Sequence, residues 1–461
     1  MLPEGFVKRI KTQHYIDASS LVRSLQEPSS VSIRVNRAKW KNFPVDSQPV
    51  TWCNEGWYLK SHPSFTCDPL FHAGCYYAQE ASGMFLEVVF KRLFKDNTDL
   101  KILDLCGAPG GKSTHLASLV GDRGCLVTNE VIRSRASVLA ENITRWGLHN
   151  TLVTNNDPSA FTKLNGFFDM IVVDAPCSGE GMFRDKTAVR EWKESNAAMC
   201  SERQRRIVMD VWPALKQGGI MIYSTCTFNP AENEENVKWF SDKTDATCLP
   251  VDISKYKGVR EIRHEDIIGY GFYPGLIRGE GFFLAVLKKK QYTENKKNNG
   301  NIRRKADSIS NEDLRITEAL VGRFPDRVFR QDNNVWLLAV PVHEYRYLEN
   351  YLRIIKRGVQ LFKIKGSALV PAHDLALSVV LRDGSFPVYD LNYGEALKFL
   401  RRSEFRVDNM VTGWVIAAYK GVKLGFMKNL GSRINNYYPV DWRIRTDNCP
   451  GNEKDIIQWN E

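Results

Sequence analysis

The stretch LDLCGAPGGKST, Leu103–Thr114, decides the reading of this chain. The apolar run KILDL before it has strand character, and GKSTHLASLV after it has helical spacing. Between them Gly107, Gly110 and Gly111 make a turn that lets backbone approach a ligand closely at a helix start. A nucleotide triphosphate loop needs G-x-x-x-x-G-K-[ST]. In that register the first glycine position holds Cys106, and Gly107 comes one residue too late. Pro109 also removes a backbone donor from any phosphate cradle. The dinucleotide pattern G-x-G-x-x-G is absent. What remains is the first loop of a fold that binds S-adenosylmethionine.

Outward from this loop the chain alternates helix and strand. QEASGMFLEVVFKRLF reads as a helix before it. CLVTN, TLVTN, FFDMIVVDA, IMIYSTC and GFFLAVL read as strands after it, separated by the helical RSRASVLAENITRWG and SERQRRIVMDVWPALKQ, the last ending at Gly218-Gly219. Repeated strand–helix units imply a mostly parallel, doubly wound α/β sheet, Rossmann-like, with its site at the carboxyl ends of the strands. Glu130 follows the second strand, where an acid accepts the ribose hydroxyls of a nucleoside. Asp157 follows the third, where an acid meets the exocyclic amine of adenine, although Asn-Asp-Pro is also a common turn.

Two cysteines carry the chemistry. VVDAPCSGEG places Asp174 and Cys177 after the fourth strand, and YSTCTFNPAENEENV places Cys226 after the next. A lone cysteine at a strand end is by default a small buried hydrophobe. Two of them behind neighbouring strands point instead to one cleft with two thiols. Carbon 5 of cytosine is a poor nucleophile. A thiolate that adds to carbon 6 makes it an enamine carbon able to attack a methyl sulfonium. Asp174 is placed to hold or protonate ring nitrogen 3. The residues alone do not say which thiol attacks.

Composition agrees with this reading. The chain has 461 residues, 43% hydrophobic and 25% charged, which suits two or three globular domains. Its net charge of +11 points to a polyanionic partner, though basic proteins without one are common. The surplus is uneven: residues 61–287 are net −3, against +4 for 1–60, +6 for 288–307 and +4 for 308–461. We expect a small α/β N-terminal, RNA-binding lead-in over 1–75, in which FVKRIKTQHYIDASSLVRSL is helical and SIRVN and VTWCNEGWYL are strands. A methyltransferase domain over 76–288, a basic linker over 289–307 and a separate β-rich C-terminal region over 308–461 follow. The linker has an equally good reading as a solvated loop. No signal peptide or membrane-spanning run is present. The 10 cysteines include no C-x-x-C pair and form no disulfide framework, so reduced cytosolic thiols, no metal site and a cytoplasmic location are expected.

Taken together, SIRVN, PLFHAGCYYAQEASGMF, LDLCGAPGGKSTHLA, FDMIVVDAPCSGEGMFR, GGIMIYSTCTFNPAENEENV and RGEGFFLAVL resemble the RNA cytosine-5 methyltransferases, a family with paired Pro-Cys and Thr-Cys motifs. Within it the chain is most similar to the ribosomal small-subunit subgroup called methyltransferase F. GWVIAAYKGVKLGFMKNLGSRINNYYPVDWR resembles that subgroup's C-terminal PUA-like RNA-binding module. The resemblance implies that Cys226 is the nucleophile, that Cys177 helps release the product, and that Lys112 and Asp174 contact the target base. It also implies that Cys106, Gly107, Ala108, Pro109, Gly110, Gly111, Lys112, Glu130, Asp157 and Asp174 line the S-adenosylmethionine site. The expected substrate is ribosomal RNA or the small subunit, handled by a monomer without metal or membrane. A transfer-RNA target, a P-loop-like NTPase and a non-catalytic RNA-binding assembly factor are the alternatives. Gln79-Glu80-Ala81-Ser82 replaces the family's Gln-Glu-Pro-Ser, and Pro274-Gly275 its Pro-His.

Overall fold

A computed structural model describes residues 2–95, 99–290, 309–324, 326–405, 410–449 and 452–460. Its centre is one mixed sheet. The spatial order is Arg260–His264, Ile267–Phe272, Phe282–Lys289, Leu215–Thr225, Phe168–Asp174, Lys101–Asp104, Cys125–Asn129, Thr151–Thr154 and Ile354–Lys356, with Ala246–Cys248 beside Phe282–Lys289. The five strands from Leu215–Thr225 to Thr151–Thr154 run parallel, and the outer ones are antiparallel. The central strands read as unbroken apolar runs because both faces are covered. Phe161, Val208, Val211 and Phe240 pack on one face, and Phe85, Val89, Leu116 and Val120 on the other.

The boundaries before the second cysteine shift from expectation. The helix Ser195–Val211 stops short of Pro213, which lacks a helical donor, and a short turn follows. The strand then starts at Leu215, ahead of the two glycines expected to precede it, and runs to Thr225.

Before the core, the expected single N-terminal helix is two, Glu4–Ile10 and Ala18–Ser24. The second is opened by Asp17, whose carboxylate accepts from the Ser20 amide at 3.0 Å. Of VTWCNEGWYL only Gly56–Tyr58 is strand, because Val50–Cys53 closes as a turn with Cys53 N donating to Val50 O at 3.1 Å. QEASGMFLEVVFKRLF becomes a short 3-10 turn and then the helix Leu86–Phe94.

The C-terminal region is neither single nor separate. One four-stranded sheet spans Val328–Pro371, and a second holds Val388–Asp390, Gly413–Tyr419, Val422–Asn429 and Ile434–Asn436. KFLRR is not a strand but belongs to the helix Tyr393–Arg401, opened by a reciprocal cap between Asn392 and Glu395. Ile354–Lys356 leaves the region to pair with Thr151–Thr154 of the core. Most of the expected linker lies outside the described residues. Its first residue, Lys289, still belongs to the core strand and donates to Trp212 O and Leu215 O at 3.0 and 3.1 Å.

The expectation of reduced thiols throughout needs a correction: Cys67 and Cys449, 382 positions apart in sequence, form a disulfide. They meet because the C-terminal tail folds back over the N-terminal sheet. Ser64 N donates to Asp455 O and Val45 N to Gln458 O, each at 2.8 Å, and Trp459 packs edge-on against Trp40.

Candidate active site

Parallel pairing sets Asp174 opposite Ser224, so the two strands release their chains at the same level. Cys177 and Cys226 lie in the loops that follow, and their sulfurs are 3.1 Å apart. The Cys226 amide donates to Cys177 Sγ at 3.3 Å. The nearby Cys226 sulfur and burial together hold the Cys177 thiol well above its ordinary pKa. Cys177 is therefore a neutral thiol at neutral pH.

Lys112 reaches into this cleft from the first turn of the helix Gly111–Val120. Its ammonium donates to Asp174 Oδ2 at 2.9 Å and lies 5.0 Å from the centre of the Phe282 ring. Burial works against that charge, but Asp174 and then Asp104 outweigh it and keep the lysine protonated. Asp174 is held on its other side by the Ser224 hydroxyl at 2.8 Å. The pair sets an ammonium and a carboxylate at the strand end that leads to Cys177, groups able to hold a cytosine ring edge.

The glycine turn lies beside them. Gly107 is in close contact with its surroundings: a Cβ there would sit 2.1 Å from Thr128 Oγ1 and 2.7 Å from Ser113 Oγ. Gly110 has φ +124°, a backbone state that side chains avoid. Asp104 is fully buried beneath the turn; its Oδ2 accepts from Ser113 Oγ at 2.6 Å, while Oδ1 has no partner. Burial pushes its carboxyl up to about 7. Cys106 is intermediate in exposure, and burial raises its thiol. Glu130 is buried at the end of Cys125–Asn129, accepts from Ile132 N at 2.9 Å, and is 3.4 Å from Arg135. Arg135 in turn donates to Ala108 O at 2.9 Å, which ties Glu130 to the turn. A turn closely packed at Gly107, a buried acid with one unpartnered oxygen and a second acid tied to the turn fit a nucleoside-bearing methyl donor. Asp157 is engaged locally: it accepts from Ser159 N and Oγ at 3.1 and 2.7 Å and opens the turn Pro158–Lys163.

Sequence reasoning missed the supports of the two cysteine loops. Glu232, Asn233 and Gln204 are buried behind them. Glu180, also buried, is paired with Arg9 of the first helix, and Gln13 donates to Phe228 O at 3.0 Å. The N-terminal segment thus braces the catalytic loops. For Glu232 and Asn233 the polar run ENEEN, residues 232–236, was the available signal. Elsewhere Cys53, Glu87 and His115 cluster with donor atoms within 4.8 Å of one another. There His115 Nε2 is engaged by Glu87 at 3.0 Å, and Lys91 already pairs with that carboxylate.

Three family models match the chain: the N-terminal domain of 16S rRNA methyltransferase RsmF over residues 2–81, 16S rRNA methyltransferase RsmB/F over 92–288, and the methyltransferase RsmF PUA domain over 386–444. A protein of Aliivibrio fischeri named ribosomal RNA small subunit methyltransferase F is 30% identical, covering 95% of this chain and 97% of its own. The chain belongs to the methyltransferase F family. Another member so named, from Enterobacter, is 28% identical over 95% of both chains. Among solved structures, a methyltransferase homologue from Pyrococcus horikoshii superposes with a TM-score of 0.51 at 26% identity, covering 62% of this chain and all (100%) of its own. The methyltransferase F family therefore carries the expected Rossmann-like core, with the PUA module in the second of the two C-terminal sheets.

Proposed function

We infer that this protein uses S-adenosylmethionine to methylate carbon 5 of a cytosine in small-subunit ribosomal RNA, with Cys226 as nucleophile and Cys177 assisting release. The observation that carries this reading is the 3.1 Å approach of the two thiols beside the Lys112–Asp174 pair.

The target base must leave its stack to reach the cleft, at a cost of a few kcal/mol that is smallest in a loop. Basic residues in the flanking regions offset it through the RNA backbone. In the cleft, Lys112 fixes Asp174, and ring nitrogen 3, an acceptor, is held by Asp174 through a proton that the Lys112 ammonium can pass to the carboxylate as sulfur adds. The Cys226 sulfur then adds to carbon 6, and the ring electrons move toward carbon 5. The donor, when bound in the glycine turn, supplies an electrophilic methyl group. Cys106 through Lys112 and Glu130 would hold it, with Asp157 toward its base. Release requires loss of the carbon 5 proton to a base, closure of the ring double bond and departure of the Cys226 thiolate. Cys177, beside the newly modified sulfur, assists that step. The reading takes the enzyme as a monomer acting without a metal. A ribosomal substrate puts the enzyme in the cytoplasm. Among the described residues no helix is long and apolar enough to cross a membrane. Cys106 and Pro109 stand where a triphosphate loop needs a glycine and a donor, which disfavours the NTPase alternative.

Bisulfite sequencing of RNA from a strain lacking this gene and from its parent tests the reading. One small-subunit cytosine should lose protection in the deletion strain. Identical ribosomal profiles, or a change confined to transfer RNA, would overturn the substrate assignment.

A further inference from the structure

Two consecutive residues each bracket one of the thiols. Glu232 brackets Cys177. Its Oε2 accepts from the Ser178 amide at 2.9 Å and its Oε1 from the Ser178 hydroxyl. On the other flank, Gln204 Nε2 donates both to Glu232 Oε2 at 3.0 Å and to Pro176 O at 3.1 Å. Residues 176 and 178 are thereby both held by the Glu232–Gln204 unit, with Cys177 between them. Asn233 brackets Cys226 in the same manner. Its Oδ1 accepts from Thr225 Oγ1 at 2.6 Å and its Nδ2 donates to Thr227 O at 2.9 Å. The two brackets meet where Ser178 Oγ lies 2.9 Å from Thr227 Oγ1.

These groups are built in. Glu232, Gln204 and Thr225 have no exposed surface, and Thr227 and Asn233 have almost none. Gln204 is itself fixed, since its Oε1 is 2.9 Å from the Tyr223 hydroxyl and accepts from Asn236 Nδ2 at 2.7 Å. The Tyr223 hydroxyl also lies 2.6 Å from Glu232 O, which anchors the dipeptide to the strand that leads to Cys226. Two loops from different strands are therefore referenced to one rigid peptide unit, the arrangement that holds reacting groups in a fixed geometry.

We propose that the Glu232–Asn233 dipeptide is a spacer that sets the distance between the two thiols, Glu232 positioning Cys177 for product release and Asn233 positioning Cys226 for attack. Neither touches the base; both are positioning residues. The assignment of the two steps rests on the proposed function, whereas the spacing itself does not.

The test has two parts. The first reads spacing without turnover. The purified full chain is treated with limiting diamide, which takes two electrons and two protons from a thiol pair to close a disulfide, and Cys177–Cys226 peptides are counted by mass spectrometry. Glu232→Ala and Asn233→Ala should each lower the rate of that crosslink. Glu232→Gln should keep it, because its amide can accept from Ser178 N and Gln204 with oxygen and donate to Ser178 Oγ with nitrogen. Unchanged crosslinking in both alanine variants overturns the proposal. The second part follows enzyme–RNA adducts on denaturing gels with small-subunit RNA and S-adenosylmethionine. Glu232→Ala should accumulate adduct and Asn233→Ala should form it slowly. Each change should be about a hundredfold, the cost of misplacing a reacting group by about 1 Å. Glu232→Gln should release product like the parent. An equal fall of both steps in both alanine variants, together with a lowered Tm, would mean general loosening and would overturn the proposal. A Cys177→Ala control that releases normally would instead overturn the release role while leaving the crosslinking result to judge the spacer.

Discussion

Ser224 donates to Asp174 at 2.8 Å from the directly opposing position of the neighbouring parallel strand. This one register fixes the cleft. Cys177 follows Asp174 by a short loop and Cys226 follows Ser224 by a shorter one, so a correct pairing of two strands brings both thiols and the base-holding acid together. The same bond keeps Asp174 oriented while Lys112 neutralises its other oxygen at 2.9 Å.

The thiols should separate by phenotype. Cys226→Ala should reduce methyl transfer to background, as measured by label incorporated into RNA. Substantial turnover in that variant would refute its role as nucleophile. Cys177→Ala should stall after methyl transfer and leave a covalent enzyme–RNA band on a denaturing gel.

Gly107→Ala should impair cofactor binding through sterics alone. The added carbon meets Thr128 Oγ1 at 2.1 Å and Ser113 Oγ at 2.7 Å, both on structured elements, so the turn must move. Overpacking of this kind costs about 1–3 kcal/mol. Calorimetric titration with S-adenosylmethionine should show the weakening, and an unchanged Kd would contradict the placement of the donor at this turn.

Glu232 gives a pH signature. Burial, its largest influence, pushes the carboxyl from 4.5 up to about 7. Between those values the folded protein keeps a proton that the unfolded chain has released. The stability this group contributes is therefore present below about pH 4.5 and lost as pH rises to about 7. Glu232→Gln cannot titrate. In urea unfolding its stability relative to the parent should rise from pH 5 to pH 8, and parallel pH profiles would refute the shift.

The Cys67–Cys449 link should be visible in solution. Alkylation of the unfolded chain without reductant should label eight of the ten cysteines, and all ten after reduction. Cys449→Ser should lower stability by about 2–4 kcal/mol, the usual contribution of a crosslink. Reductant should then have no further effect on the Tm. Full labelling without reductant would disprove the bond.

Much of the site was legible because its signals are local. The glycine turn, Lys112, Asp174 and both cysteines each lie within a few residues of a strand end, and the parallel order of an α/β core brings strand ends to one side. The supports were not legible for the opposite reason. Glu232 acts on Ser178, 54 positions away. Cys67 and Cys449 are joined only after the tail has folded back. Ile354–Lys356 is three residues long and carries no alternation that could announce a strand. Asp157 illustrates a subtler case: a strand-end acid can serve a ligand or its own turn, and the Ser159 bonds reveal the second use.

That three-residue strand has a consequence for how the molecule can be cut. By pairing with Thr151–Thr154 it covers the open edge of the core sheet, where Leu152 and Val153 are fully buried. Its own Lys356 ammonium, tied to Asp374, caps the border with charge. Deleting the chain after the methyltransferase core would strip this cover and leave a row of unpaired amides and carbonyls beside an apolar ladder, a template for joining one copy to the next. The C-terminal region thus covers an edge that the core alone would expose, and a chain cut after the core should self-associate more readily than the whole.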